Sequence, residues 1–182
     1  MAPRTTAPPA LDPLPRPYFL FFTLLEPFLT ILGSLYATFL PRTYFSSLFP
    51  SSLTALDDKP SLPLPVPLHP AAEMATRQLG SCFFLFAIMG AVMLPVVEKS
   101  LRDGKEREME RIVRAYLGCL AAADLTHMGF TLYDLGFTGA VSPLQHWNSL
   151  VWGNVGITAV LFAVRVLWFA GVGRGRKEVK KE

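Results

Sequence analysis

The feature that most constrains this chain is a set of four long segments almost free of charged side chains. About 20 mostly apolar residues in a helix cross the roughly 30 Å of hydrocarbon in a bilayer. The sequence therefore predicts membrane-spanning helices at about 18–40, 76–97, 112–135 and 148–171. The second helix has the strongest signal, since no charge occurs between Arg77 and Glu98.

A soluble four-helix bundle is the alternative interpretation of these segments. Such a bundle needs polar outer faces that repeat at the helical period. The second segment, LGSCFFLFAIMGAVMLPVV, has no such face. Only 17% of the residues are charged, against roughly 25% in soluble domains. These observations favour a membrane protein and argue against a water-soluble enzyme.

The segments outside the four spans differ sharply in composition. Residues 1–16 contain five prolines and are predicted to form a disordered Pro-rich tail. Residues 41–75 are rich in Pro and Ser and predict an extended loop, and residues 174–182 form a basic tail. We do not expect a cleaved signal peptide, because the first apolar run is too long for one. Residues 17–173 are thus the predicted membrane domain.

The positions of the basic residues predict the orientation of the chain. Four spans place both termini and the loop between the second and third helices on one side, with 13 of the 17 Lys and Arg residues. Such an excess marks the cytoplasmic side. We therefore predict an all-α fold, a four-helix transmembrane bundle with both termini cytoplasmic. Because these charges flank helix ends, we do not expect a nucleic-acid partner.

A few ionisable residues interrupt the apolar spans, and such residues usually face the interior of a bundle. At 1.5 Å per residue, Glu26 lies about 14 Å and Arg165 about 9 Å from the cytoplasmic face, which predicts an ion pair between them. Asp124, His127 and Asn154 are expected at similar heights in the opposite half. Asp124 and His127 share one helical face, since they are three residues apart.

These polar residues have two interpretations. In the first, they hold the helices together through hydrogen bonds and ion pairs. In the second, they line a cavity, where a buried carboxylic acid protonates an apolar substrate. The candidate catalytic residues are Asp124, Glu26 and His127. The candidate ligand-binding residues are Asn154, Trp152, Asn148, Trp147 and Arg165. The sequence predicts no metal site and no cofactor.

The combined pattern resembles a fungal family of small four-helix integral membrane proteins known only as a domain of unknown function. The similarity rests on LLEPFLTILGSLYATFLP, AADLTHMGFTLYDLG and HWNSLVWGNVGITAVLFAVRVLWFAGVG. These contain an acid followed by Pro27, an Asp-x-x-His at Asp124, a Trp-Asn and a Trp-Gly-Asn, and the late Arg165. The resemblance covers about residues 17–173. It implies a membrane topology but no biochemical activity.

The sequence leaves several functions open. The first is a structural or lipid- or sterol-binding membrane protein, and the second is a membrane isomerase or cyclase acting on a terpenoid or sterol-like substrate. A transporter subunit is a third. Whether the chain is an enzyme is undecided at this stage. The expected partners are the lipid bilayer and a hydrophobic small molecule. We expect a multi-pass integral membrane protein, with the endoplasmic reticulum as the candidate membrane. The oligomeric state is not indicated.

Overall fold

The computed structural model describes residues 11–50, 68–102, 104–141 and 146–175, without the side chains of 137–141. Within these ranges the regular structure is helical and contains no β-strand. The elements are α1 (Arg16–Phe39), α2 (Pro41–Ser47), α3 (Pro70–Leu101), α4 (Glu106–Val141) and α5 (Ser149–Phe169). The predicted all-helical fold class is confirmed at this level.

Three helices of the described chain, α1, α3 and α5, are long and apolar enough to span a membrane. Their outer faces carry large exposed apolar side chains, including those of Leu24, Phe28, Leu85 and Val160. Extended apolar surface of this kind marks a membrane or protein contact. The chain therefore has the character of a membrane protein. Helix α4, which was predicted as the third span, is not among these three helices.

Proline residues and caps fix the helix ends. Leu40 has φ −125° and ψ 51° and ends α1, because a residue before proline disfavours the α conformation. Pro41 then starts α2, and Pro70 starts α3 after the His69 Nδ1 atom accepts a hydrogen bond from Ala71 N at 3.2 Å. The predicted extended loop at 41–75 is thus wrong at both ends, and its middle, 51–67, lies outside the described residues.

Helices α1 and α3 approach closely along small residues. Gly80, Ala87 and Gly90 on α3 are buried, and Ser34 Oγ on α1 donates a hydrogen bond to Gly80 O at 2.7 Å. A Cβ atom on Gly80 would lie 2.3 Å from Thr38 Oγ1. Only a residue without a side chain fits there. This close contact holds α1 at a fixed height against α3.

Two π-helical turns interrupt the α-helices. The first, Phe21–Leu25, comes directly before Glu26 and Pro27 in α1. Pro27 has no backbone N–H, so one hydrogen bond of the regular α-helix is missing beside this turn. The second, Trp152–Ile157, includes Asn154 near the start of α5. Such turns often occur at functional sites, and each adjoins or contains a residue that the sequence analysis selected.

The two terminal segments contact each other at one end of the molecule. Asp12 N donates to Gly175 O at 3.0 Å, and the indole Nε1 of Trp168 donates to Pro13 O at 3.0 Å. Leu14 is fully buried in the core beside Trp168. The end of the predicted tail, from residue 11 onwards, therefore forms part of the packed structure, while residues 1–10 lie outside the described residues.

Arg174 joins this terminal contact to α4. Its Cζ atom lies 4.2 Å from the ring centroid of Trp168, and its Nη2 atom donates to a carboxylate oxygen of Glu110. Its Nε atom donates to Asp12 O at 2.9 Å. The first residue of the predicted basic tail is therefore buried, and residues 176–182 lie outside the described chain.

Candidate functional site

A charged cluster, formed by Glu26, Asp124 and Arg165, connects three helices. The side chain of Arg165 on α5 is only 1% exposed. Its Nη1 atom donates to Asp124 Oδ2 on α4 at 2.5 Å, and its Nη2 atom donates to Glu26 Oε1 on α1. A guanidinium holds its donors in a fixed planar fork, so one Arg serves both carboxylates. The predicted Glu26–Arg165 ion pair is confirmed.

The backbone around Glu26 positions this cluster. Pro27 packs against α3 at Gly90, where an added Cβ would lie 3.2 Å from Pro27 Cγ and 3.3 Å from Tyr116 Oη. The Arg165 Cζ atom lies 6.0 Å from the ring centroid of Phe22 in the first π-helical turn. A cation near an aromatic ring gains electrostatic attraction from it. Small, aromatic and proline residues thus fix where the charges meet.

The cluster is not completely satisfied by the described residues. Glu26 Oε2 and Arg165 Nε are buried, and no part of the described chain gives them a hydrogen-bond partner. Removing two charges from water costs nearly as much free energy as their attraction returns, whereas loss of one partner is strongly destabilising. The arrangement therefore suits a fixed connection between α1, α4 and α5.

A cleft of about 490 Å³ lies between α1 and α5, within the usual volume range of ligand sites. Its lining comes mostly from α1 and α5, with one residue each from α2 and α3. The lining residues are all uncharged: Leu29, Thr30, Leu32, Gly33, Tyr36, Tyr44, Phe83, Ser149, Leu150, Gly153, Asn154, Ile157 and Leu161.

Different contacts lie near the two ends of the cleft. At the inner end, Thr30 Oγ1 donates to Glu26 O at 2.9 Å, so the cleft begins one turn from the charged cluster. At the outer end, Tyr44 of α2 packs with Leu150 of α5, and Asn148 Nδ2 donates to Ser47 O at 2.8 Å. Helices α1 and α5 are therefore connected at both ends of the cleft, through the cluster and through α2.

A family model described as a domain of unknown function, DUF7704, matches residues 11–175. The chain belongs to the DUF7704 family. The matched range includes the charged cluster, the cleft and the terminal contact, and its description assigns no activity to the DUF7704 domain. No curated protein and no solved structure matches the chain.

Asp124, His127 and Asn154, which were expected at similar heights, make different contacts in the DUF7704 domain. Asp124 binds Arg165, the ring of His127 lies 6.5 Å from that of Phe83, and Asn154 lines the cleft. The described residues contain no hydrogen bond among Asp124, His127 and Asn154. Asp124 therefore belongs to the charged cluster. The side chain of Arg165 is long enough to reach this acid.

Three further candidate ligand-binding residues lie near the start of α5. Asn148 caps the helix, since its Oδ1 atom accepts a hydrogen bond from Val151 N at 2.9 Å. Trp147 and Trp152 form an edge-to-face pair with ring centroids 5.3 Å apart. The cap and the aromatic pair account structurally for these residues in the DUF7704 domain. A role of any of the three in ligand binding stays a prediction.

Several residues of the cleft were not selected from the sequence. Tyr44 lies in a segment predicted as a loop, although Pro41 followed by aromatic residues is a usable signal for a helix start. Phe83, Gly33 and Gly153 lie in apolar runs, where composition does not distinguish a cleft wall from a lipid-facing residue. In the described part of the DUF7704 domain, no group of His, Cys, Asp and Glu side chains is arranged to hold a metal ion.

Proposed function

We propose that this DUF7704 protein is a multi-pass membrane protein that binds a lipid or sterol-like molecule in the cleft between α1 and α5. The observation that carries the proposal is the uncharged 490 Å³ cleft along two helices that are long and apolar enough to span a membrane. A molecule dissolved in the bilayer reaches such a cleft from the side, without passing through water. The charged cluster then serves as the structural connection beside the binding site.

The proposal includes four membrane spans, with α4 as the third, and both termini in the cytoplasm. The contact between Asp12 and Gly175 supports one shared side for the two ends of the domain. The α4 helix crosses with its polar residues turned partly inward, as Asp124 is buried against Arg165. The excess of basic residues near these ends favours the cytoplasmic side.

Acid catalysis on a terpenoid or sterol-like substrate is the alternative function. It needs a carboxyl group within hydrogen-bond reach of the bound substrate. Glu26 and Asp124 bind Arg165 instead, and neither is among the residues that line the cleft. This geometry supports a binding protein better than an acid catalyst.

Lipid analysis of the purified protein tests the proposed function. We expect the full chain, purified in a mild detergent, to retain a lipid or sterol-like molecule that mass spectrometry detects. Gly153 lines the cleft, and an added Cβ there meets nothing within 4 Å, so the larger side chain in Gly153→Leu should occupy part of the cleft.

The matched control is Gly129→Leu on α4, where an added Cβ also has nothing within 4 Å. Gly129 does not line the cleft. The proposal predicts loss of the retained molecule in Gly153→Leu and its retention in Gly129→Leu. Equal lipid content in the wild type and both variants would contradict it.

A further inference from the structure

Besides the exposed Ser149, two polar side chains that line the cleft have no hydrogen-bond partner in the described part of the chain. One is the carboxamide of half-buried Asn154, and the other is the hydroxyl of Tyr44, a residue that is only 1% exposed. Both residues line the cleft, and neither polar group is among the buried side-chain atoms that lack a partner. Their polar groups are thus available to a ligand that brings its own hydrogen-bonding group.

These two polar groups lie near the same end of the cleft. Tyr44 packs with Leu150 in one core cluster, and Asn154 follows Leu150 by about one helical turn. Burial raises the pKa of Tyr44 to about 12, so its hydroxyl stays a hydrogen-bond donor at neutral pH. Since α2 begins just after α1 ends, this is also the end nearest to the membrane surface.

The charge of the lining limits the ligand further. No lining residue is charged, and the nearest acid on α1, Glu26, already binds Arg165. A phosphate, carboxylate or ammonium group in the cleft would lose its hydration without gaining an ionic partner, which is strongly unfavourable. We therefore expect the part of the ligand inside the cleft to be uncharged.

The walls of the cleft favour a rigid ligand. At Gly33 on α1 an added Cβ would lie 3.7 Å from Cδ2 of Phe83, so the Phe83 ring packs against the helix there, whereas an added Cβ at Gly153 on α5 meets nothing within 4 Å. The rings of Tyr36, Tyr44 and Phe83 supply apolar surface to the lining. The stretch from Glu26 to Tyr36 corresponds to about 15 Å of helix, half of the hydrocarbon thickness. A flexible acyl chain loses conformational freedom when it is immobilised, whereas a fused ring system loses little.

We propose that the cleft binds a sterol-class molecule, a rigid and uncharged ring system whose single hydroxyl group contacts Asn154 and Tyr44. The inference rests on the proposed function and specifies its ligand. The hydroxyl lies at the outer end of the cleft, near the membrane surface, and the rings extend inward towards the charged cluster. This is also the orientation that an amphiphile with one polar end takes in a bilayer.

Photolabelling of the full chain tests this inference. The protein is reconstituted in phosphatidylcholine vesicles with a diazirine-bearing cholesterol analogue, irradiated, and digested for peptide mapping. We expect labelled peptides from α1 and α5, and competition by unlabelled cholesterol but not by diacylglycerol or oleic acid. Asn154→Leu and Gly153→Leu should each reduce the competed label about tenfold, the scale of one lost hydrogen bond or one filled site.

Two controls keep the test decisive. Gly129→Leu and Thr126→Val change exposed positions of α4 and should label like the wild type. Equal labelling of Gly153→Leu and Gly129→Leu would overturn the inference, because it would mean contact with bulk lipid. Equal competition by diacylglycerol or oleic acid would overturn the sterol assignment and leave the proposed lipid binding intact. Retention of no lipid at all in the purified protein would defeat both.

Discussion

Asp124 accepts a hydrogen bond from Arg165 Nη1 at 2.5 Å, across 41 positions of the chain and between two long helices. Glu26 binds the other terminal nitrogen of the same guanidinium. The single Arg165 therefore pairs with two carboxyl groups, so the three residues contribute unequally to the stability of the folded protein. Loss of Arg165 leaves both acids without their cation, whereas loss of either acid leaves one ion pair in place.

We expect Arg165→Leu to destabilise the protein by about 3–5 kcal/mol, the usual effect of removing one partner of a buried pair. Asp124→Asn and Glu26→Gln should each destabilise it less. Unfolding by sodium dodecyl sulfate, followed by circular dichroism, measures the differences. In a double-mutant cycle, Glu26→Gln combined with Arg165→Gln should cost less than the sum of the single changes. Simple additivity would contradict the contact.

We expect Gly80→Val to weaken the contact between α1 and α3, since an added Cβ would lie 2.3 Å from Thr38 Oγ1 and 3.0 Å from Ser34 O. Overpacking of this kind costs about 1–3 kcal/mol. A thermal melt in detergent measures the loss. Gly129→Val is the matched control, because its Cβ meets nothing within 4 Å. Equal melting temperatures for the two variants would argue against the close approach.

We expect Trp168→Ala to destabilise the protein by about 3–5 kcal/mol, the range for a deleted buried aromatic side chain. Trp168 is fully buried. Its indole Nε1 donates a hydrogen bond to Pro13 O, and its ring makes a cation–π contact with the guanidinium of Arg174. Arg174→Ala should also destabilise it, and Arg111→Ala, at an exposed position of α4, should not. Limited proteolysis at Leu14 gives a second readout, since this residue is fully buried in the folded protein and becomes exposed when the terminal segments are released. Unchanged cleavage in Arg174→Ala would count against the contact.

The stability of the protein should fall as the pH rises from about 10 towards 12. Burial raises the pKa of Tyr44 from 10.0 to about 12, so the unfolded chain loses this proton at a lower pH than the folded chain. The contribution of the neutral Tyr44 hydroxyl to stability is complete below pH 10, and it is lost as the pH rises through the pKa that Tyr44 has in the folded protein. Tyr44→Phe should remove this part of the decline, as measured by unfolding at several pH values. An unchanged decline in the variant would assign it to other groups.

Reporter fusions should place both termini in the cytoplasm. Of the 17 basic residues, 13 flank the ends of helices on one side in the four-span topology, and the terminal segments contact each other. A glycosylation acceptor added after Glu182 should therefore remain unmodified, and one inserted at residues 55–58 should be modified. Modification of the C-terminal acceptor would reverse the orientation or change the number of spans.

The positions of the helices were largely predictable from the charge pattern. The span expected at 148–171 is Ser149–Phe169, and the one expected at 18–40 is Arg16–Phe39. Charge depletion identifies these helices because a membrane excludes charges, whatever the partner helices are. It does not identify the ends, and α3 extends beyond 76–97 on both sides to Pro70–Leu101. At the N-terminal end, the cap at His69 sets where α3 begins.

The candidate site was predictable only where a charge was unusual for its surroundings. Glu26 and Arg165 stood out in apolar spans, and their contact followed from their depths. The partner of Asp124 did not follow, because depth along a helix does not give the rotation of one helix about another. The cleft was not predictable either, since Gly33, Gly153 and Phe83 have the composition of any apolar span.

The pairing of Glu26 with Arg165 has a consequence for the synthesis of the protein. The two residues are separated by 139 positions. At about 5–20 residues per second, the ribosome makes Arg165 on the order of 10 s after Glu26. During that time the first helix has its acid without the cation that balances it. In the proposed topology the nascent first helix therefore enters the membrane with an unpaired acid, and a factor that shields this helix should raise the yield of folded protein.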